Sequence, residues 1–539
     1  MIPSIQDCLI KIEKRAERAG DEKLLETFVD AAPLYASVET TDHQVIFGRR
    51  GTGKTHVLKI LQDNTKRDGD LSVYLDLRSI GSNSSIYNDR EKSHPQRATP
   101  LLLDVLGAMH DALLEASIDN PNIDLSQVGP CLDELADSIS TVEVVGTTET
   151  SREDVVATEK ASGLSAMLGV GKEGPTAQIS GSTSDKDSLS GKTSSKQTGS
   201  SRYYVRFGSV QSAINRLLEK MSDIRIWLLL DEWSEIPIDL QPYLADLLRR
   251  CVLPSPRITV KIAAIEHRSN FSIRGNGEYT GIELGADAGA DVNLDDFMVF
   301  DNDADRSKSF FSSLLYKHYR AADGLPEGEG AKSPDALISQ AFTQITAFEE
   351  LVRAVEGVPR DAVYLAAHVA RKAYGRLISV NDVRAAAREW YQRDKASLLR
   401  SNSDMADLLD WVVKEVIAHR KARAFLLPSH QRNAVIDSLF DARLLHILKK
   451  SISSHDNPGI RYDVYKLDYG CYVDLITTSR SPAGLLPSDD DDQYVDVPPD
   501  DYRSIRRAIL DLSAFEARSK SLHERAFEAL TPASKDVTD

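Results

Sequence analysis

Apolar and polar positions alternate between two periods along the first half of the chain. Gln44 to Phe47 (QVIF) is a short apolar run ending at a glycine-rich loop, the pattern of a buried strand. Leu71 to Leu77 (LSVYLDL) alternates with period two and predicts a second strand. Thr99 to Ala116 has helical apolar spacing, with a proline near its start, where a helix tolerates one. Gly208 to Met221 is helical by the same spacing. Ile224 to Leu230 (IRIWLLL) reads as an apolar strand bounded by charges, and Asp239 to Val252 as an amphipathic helix. Ile258 to Ile265 (ITVKIAAI) predicts another buried strand, and Asn293 to Phe300 (NLDDFMVF) a candidate fifth. Strands alternating with helices predict an α/β fold, an open and mostly parallel sheet covered by helices on both faces.

After about Asp305 the spacing turns helical. Arg306 to Arg320, Ser333 to Val355, Asp361 to Tyr374 and Val380 to Leu399 all predict helices. From about Ser403 helices mix with two strand-like runs, Tyr462 to Leu467 and Tyr472 to Thr477, and HDNPG and SPAGLLPSDDDDQ read as loops. Between Gly146 and Ser201 the chain is rich in Ser, Thr, Gly and Lys. Such a composition buries too little apolar surface to offset its ordering entropy, so a mobile insertion is expected. Leu164 to Ser180, which alternates only weakly, is an alternative candidate for a small exposed hairpin that docks a partner. No internal repeat is found. The expected domains are residues 1–303 with the insertion, a helical lid at 304–402, and a C-terminal domain at 403–539.

Composition narrows the class. The chain has 539 residues and a net charge of -17, so its bulk field repels nucleic acid, and any DNA contact needs a local basic surface. Cys8, Cys131, Cys251 and Cys471 are far apart, which predicts neither a zinc site nor a disulfide framework. No apolar window is long enough for a bilayer, and the N-terminus is charged and amphipathic. A cytoplasmic protein without a membrane partner is expected.

The chemistry starts at Gly48-Arg49-Arg50-Gly51-Thr52-Gly53-Lys54-Thr55, a complete phosphate-binding loop between a strand and a helix that begins THVLKILQD. Its glycines let backbone N–H groups wrap phosphates, and the helix N-terminus adds positive potential. Lys54 is placed to reach the β- and γ-phosphates, and His56 follows in the first helical turn. The Thr55 hydroxyl suits Mg²⁺, a hard cation that prefers oxygen. Asp231-Glu232 directly follows the strand IRIWLLL. One carboxylate on the metal and one on the attacking water fit phosphoryl transfer, which assigns Asp231 to Mg²⁺ and Glu232 to catalysis. ATP and Mg²⁺ are the expected cofactors.

Two further places are candidates for sensing the γ-phosphate. Gly357-Val358-Pro359-Arg360 precedes a helix, from which Arg360 is able to reach over the phosphates. Glu266, His267 and Arg268 follow the strand ITVKIAAI, and the sequence does not choose among them. Arg249, Arg250, Arg268 and Arg274 are candidates for an arginine acting on a neighbour's nucleotide.

The phosphate loop, the strand ending in Asp-Glu, the polar strand end and the later GxPR together resemble the AAA+ ATPases. In their order they are similar to the origin-recognition and archaeal-type replication initiators. The resemblance implies that Arg360 is the sensor 2 arginine. It also implies a winged-helix domain after Ser403, with AVIDSLFDARLLHILKK as its helical part and RYDVYKLDYGCYVDLI as its wing strands. It further implies a homo-oligomer. From Trp411 to Arg480 there are 11 Lys and Arg against 7 Asp and Glu, a net +4. Arg443, Lys449, Lys450 and Arg461 are therefore candidates for duplex DNA phosphates. Two functions are compatible with this reading. One is an Mg²⁺-dependent ATPase that couples nucleotide state to DNA binding or assembly. The other is a nucleotide-gated scaffold that recruits a separate effector protein, as in defence against phage.

Overall fold

Six and seven consecutive buried positions make β7 (Ile226–Asp231) and β8 (Ile258–Ala264) interior strands of a five-stranded sheet. Continuous apolar runs of this kind belong to strands covered on both faces. With β1 (Gln44–Phe47), β2 (Leu71–Asp76) and β11 (Gly289–Asn293), the order is β11-β1-β8-β7-β2. The pairs β1–β11, β1–β8 and β2–β7 are parallel. The α/β class predicted from the periodicity is borne out. The computed structural model describes residues 4–13, 20–30, 33–80, 91–139, 142–152, 168–171, 174–177, 193–203, 205–221, 223–275, 278–296, 303–322, 325, 329–419, 424–431, 433–453, 459–477 and 509–515. The acidic run from Asp489 to Asp492 lies outside them.

Contacts divide the chain into two units. The first comprises residues 1–64, 261–269 and 288–539, the second residues 65–260 and 270–287. In the second unit the helices His94–Asp119, Leu125–Ile139, Phe207–Lys220 and Gln241–Cys251 pack in succession. The first of them starts earlier than Thr99, because Ser93 and Gln96 form a reciprocal capping box there. This unit also carries two hairpins in the expected insertion. β3 (Val142–Arg152) pairs with β6 (Thr193–Tyr203), and β4 (Leu168–Gly171) with β5 (Gly174–Ala177). The second hairpin falls within Leu164 to Ser180, the stretch that alternates. A further hairpin, β9 (Ser272–Gly275) with β10 (Glu278–Gly281), lies against the helix Gln241–Cys251.

In the first unit the helices Pro334–Ala341, Ile345–Ala354, Pro359–Lys372 and Val380–Trp390 surround fully buried Phe348, Leu351, Leu365, Ala366 and Val383. The N-terminal helix Ile5–Lys11 packs on Pro359–Lys372. Beyond these, the helix Ser403–Val413 leads into an antiparallel sheet of order β12-β14-β13. Its strands are β12 (Ala424–Pro428), β13 (Leu445–Ser453) and β14 (Arg461–Leu467). Among the described residues one helix, Ala434–Asp441, lies between β12 and β13.

Three expectations change. Leu445 to Lys450, read as helical, is the start of β13. Tyr472 to Thr477, read as a strand, belongs to the helix Tyr469–Thr477. Gly470 explains the second change. A Cβ there would stand 2.8 Å from the Tyr391 Cβ and 2.9 Å from the Ala387 carbonyl oxygen, so this helix lies directly on the helix Val380–Trp390 and the turn after it. The fifth strand is Gly289–Asn293 and ends where NLDDFMVF, expected to be that strand, begins, because Leu294–Asp296 turns to bring Asp295 onto the phosphate loop. Residues 297–300 lie outside the described residues.

Candidate nucleotide site

In the first unit β1 delivers the chain into the loop, and the Gly48 N–H donates to the Ala264 carbonyl at 3.2 Å. Gly51 and Gly53 have φ of 94° and 102°, the left-handed region that glycine enters without a steric cost. The helix Lys54–Arg67 then begins at Lys54. The Lys54 ammonium is buried and donates to the Gly48 carbonyl at 2.7 Å and the Arg49 carbonyl at 3.1 Å. The Thr52 hydroxyl closes the loop onto the Arg49 carbonyl at 2.9 Å. The His56 ring is hydrogen-bonded to the Leu24 carbonyl and meets the Phe28 ring edge-on at 5.4 Å, tying the phosphate helix to the N-terminal segment.

Arg360 is brought to this loop. Its N–H donates to the Gly51 carbonyl at 3.1 Å. Its side chain lies over Gly51, where an added Cβ would come within 2.8 Å of its Nε. Arg49 stands on the loop as well, but its guanidinium leaves it. Nε meets Asp295 at 2.6 Å, and the backbone N–H of Arg49 donates to the same carboxylate at 2.8 Å. One terminal nitrogen donates to the Leu445 carbonyl at 3.2 Å and lies 3.1 Å from His446 Nδ1, while the guanidinium carbon sits 4.2 Å from the centre of the Phe440 ring. Arg50 is exposed.

All three residues after β8 are engaged by the chain beyond residue 430. Glu266 takes Lys450 at 2.7 Å and the Asn293 amide at 3.2 Å. His267 lies 3.4 Å from Asp437 and edge-on to Phe440, and Arg268 bonds Asp441 at 2.7 Å. Two of the four basic residues expected to meet DNA are therefore occupied. Lys450 pairs with Glu266, and Arg443 with buried Asp361. Each already neutralises a carboxylate in its own chain.

In the second unit Asp231 ends β7 fully buried. Tyr74 on the neighbouring β2 donates its hydroxyl to one carboxylate oxygen at 2.8 Å, and the Glu232 N–H donates to the other at 2.8 Å. Burial and the nearby negative charge of Asp231 push the Tyr74 phenol far up, so it remains a donor. Glu232 has φ 55° and ψ 40°, a left-handed conformation that costs a non-glycine residue about 1–3 kcal/mol. Its carboxylate is 3.8 Å from Arg78, which is itself forked onto Asp76 at 2.6 Å. Tyr74, Arg78 and Asp295 were not singled out from the sequence. The polar positions of LSVYLDL beside an apolar strand were the available signal for the first.

Of the candidates for an arginine acting in trans, Arg249 and Arg250 both bind Asp246, at 3.2 and 2.7 Å, and Arg268 binds Asp441. Arg274, on β9, is 77% exposed and 3.5 Å from Glu283. Among the described residues no cluster of His, Cys, Asp and Glu is grouped to hold a metal by itself, and no helix is long and apolar enough to cross a membrane. Thr55 in the first unit and Asp231 in the second each carry oxygen atoms of the kind a hard cation such as Mg²⁺ prefers.

Comparison with known proteins finds a likeness over one segment. Residues 13–71, which contain the whole phosphate loop, match the ORC-CDC6-like family model. No curated protein sequence matches the chain. Similar solved structures include a Walker-type ATPase of Pyrococcus abyssi, at 11% identity and a TM-score of 0.36, covering 87% of this chain and 99% of that one. They also include the Aeropyrum pernix ORC1 protein in complex with DNA, at 13% identity and a TM-score of 0.31, covering 88% of this chain and 98% of that one.

Proposed function

We propose that the chain is an ATPase whose nucleotide state is transmitted to its C-terminal region. The observation that carries this reading is Arg360. It rests on Gly51 of the phosphate loop, and the next residue, Asp361, is paired with Arg443 beyond the helical lid. A triphosphate in the loop would meet three cationic side chains, Lys54, Arg360 and Arg50, together with the N–H groups between Gly51 and Thr55. Mg²⁺ would supply charge neutralisation to the phosphates, and Thr55 and Asp231 are the residues whose oxygens we assign to hold it. Lys54 and the loop amides hold the phosphates. Glu232 orients water, and Arg360 reports whether the γ-phosphate is present. Tyr74 keeps the Asp231 carboxylate in one rotamer.

The test is steady-state ATP hydrolysis by the full chain, with Lys54→Ala as the blank. Glu232→Gln is expected to keep ATP binding and lose about 10²-fold or more of turnover, the usual scale for a positioned acid–base group. Equal turnover in Glu232→Gln and wild type would sink the assignment.

The downstream target divides two readings. Coupling to duplex DNA is favoured by the local net +4 beyond Trp411. Coupling to a separate effector protein, in an oligomeric scaffold of the kind used against phage, is favoured by the internal pairing of Arg443 and Lys450 and by the overall charge of -17. Stimulation of turnover by duplex DNA supports the first. Turnover indifferent to DNA, with ATP-dependent change in particle size, supports the second.

A further inference from the structure

Arg49 belongs to two places at once. Its backbone is part of the phosphate loop, and its guanidinium is 4% exposed among residues of the C-terminal region. A guanidinium only donates hydrogen bonds, so His446 Nδ1, 3.1 Å away, must accept. The proton of the neutral ring is then on Nε2, which donates to Asp468 at 3.2 Å. Asp468 is fully buried. It takes the Lys395 ammonium at 2.5 Å and the N–H groups of Gly470 and Cys471 at 3.0 and 3.3 Å. Lys395 in turn lies 3.8 Å from Asp361. Asp361 directly follows Arg360, whose side chain covers Gly51.

The path Arg49, His446, Asp468, Lys395, Asp361 therefore leaves the phosphate loop, runs through the C-terminal region and returns to the residue next to Arg360. All five side chains are buried, with relative exposures of 4%, 3%, 0%, 3% and 0%. A chain of charges this far from water has few alternative arrangements, because each member left without its partner is strongly penalised. Moving one end by more than a hydrogen bond's tolerance must move or break the other.

We propose that His446, Asp468 and Lys395 are positioning residues that set Arg49 and Arg360 against each other across the phosphate loop, so that the C-terminal region governs ATP affinity and turnover. None of the three touches the loop's phosphate-facing groups. They act through the two arginines. This rests on the ATPase reading above, and the measurements are chosen to separate the two.

The experiment uses the full chain and a fluorescent ATP analogue with Mg²⁺, together with kcat and KM for ATP. Wild type is measured first, and absence of nucleotide binding there defeats the ATPase reading itself. Given binding, His446→Leu is expected to weaken Kd about tenfold and to lower kcat. His446→Asn, which returns an acceptor toward Arg49, is expected to recover most of the loss. In an Arg49→Met background, His446→Leu should add nothing further, because the contact it breaks is already gone. Thermal melting of each variant separates lost positioning from lost folding. Should His446→Leu fail to melt cooperatively, the near-isosteric Asp468→Asn takes its place and is expected to weaken Kd in the same direction. Additive effects of Arg49→Met and His446→Leu, or unchanged Kd and kcat in a folded His446→Leu or Asp468→Asn, overturn the proposal.

Discussion

Tyr74 and Arg78 sit on either side of the Asp231-Glu232 step, and each restrains one carboxylate. A hydrogen bond to a charged group is worth about 1.5–3 kcal/mol. Tyr74→Phe removes the hydroxyl and nothing else, so kcat is expected to fall about tenfold with KM for ATP little changed, read from initial rates. Arg78→Ala acts on the other carboxylate. It releases Glu232 from its 3.8 Å partner and is expected to change kcat with little effect on nucleotide affinity. An unchanged kcat in both variants would leave the two contacts as packing alone. These residues show where sequence reading stops. Lys54, Thr55, Asp231 and Glu232 are candidates the sequence offers directly, because phosphoryl transfer demands fixed types at fixed local spacing. Tyr74, Asp295 and His446 were not, because nothing near them in the chain specifies their partners, which lie 157, 246 and 397 residues away.

At the scale of elements, Gly470 is the point where the helix Tyr469–Thr477 lies closest to its neighbours. A methyl group there would stand 2.8 Å from the Tyr391 Cβ and 2.9 Å from a carbonyl oxygen, and neither belongs to a flexible side-chain end. Gly470→Ala is expected to cost about 1–3 kcal/mol, the range for overpacking a tight contact, and to lower the thermal midpoint. The same helix shows why the apolar run Tyr472 to Thr477 misled. Short apolar stretches satisfy strand and helix patterns alike, and the arbiter was tertiary packing against Val380–Trp390. The strands of the large sheet were legible for the opposite reason. Both β7 and β8 are buried along their whole length, and their apolar runs are broken only by Thr259 and Lys261 in β8 and by the terminal Asp231 in β7. The end of the fifth strand was not, because Asp295 leaves the sheet for a contact with Arg49.

For the whole molecule, three histidines set the acid limit of stability. Burial pushes His446 and His56 below the ordinary histidine value and His318 down to about 4. In the folded chain these rings are neutral, whereas the unfolded chain takes up protons once the pH falls below about 6.5. Their contribution is therefore complete above about 6.5 and drains away as the pH falls toward 4. Melting temperature measured from pH 7.5 to 4.5 is expected to decline across that window, and more gently in His318→Phe. A flat profile over the same range would remove buried histidines from the account.

The path through Lys395, His446 and Asp468 also bears on how the chain can be dissected. A boundary at residue 402 separates lid from C-terminal domain by sequence pattern, yet it is no place to cut. A fragment ending there would keep Arg49, Asp361 and Lys395 and lose His446, Asp468 and Arg443. Arg49 would keep Asp295 but lose His446, Lys395 would lose Asp468, and Asp361 would lose Arg443, so the packing around all three would be opened to water. The phosphate loop, the lid and the C-terminal region fall within one compact unit, and a fragment cut at residue 402 is expected to lose cooperative unfolding, read by thermal melting.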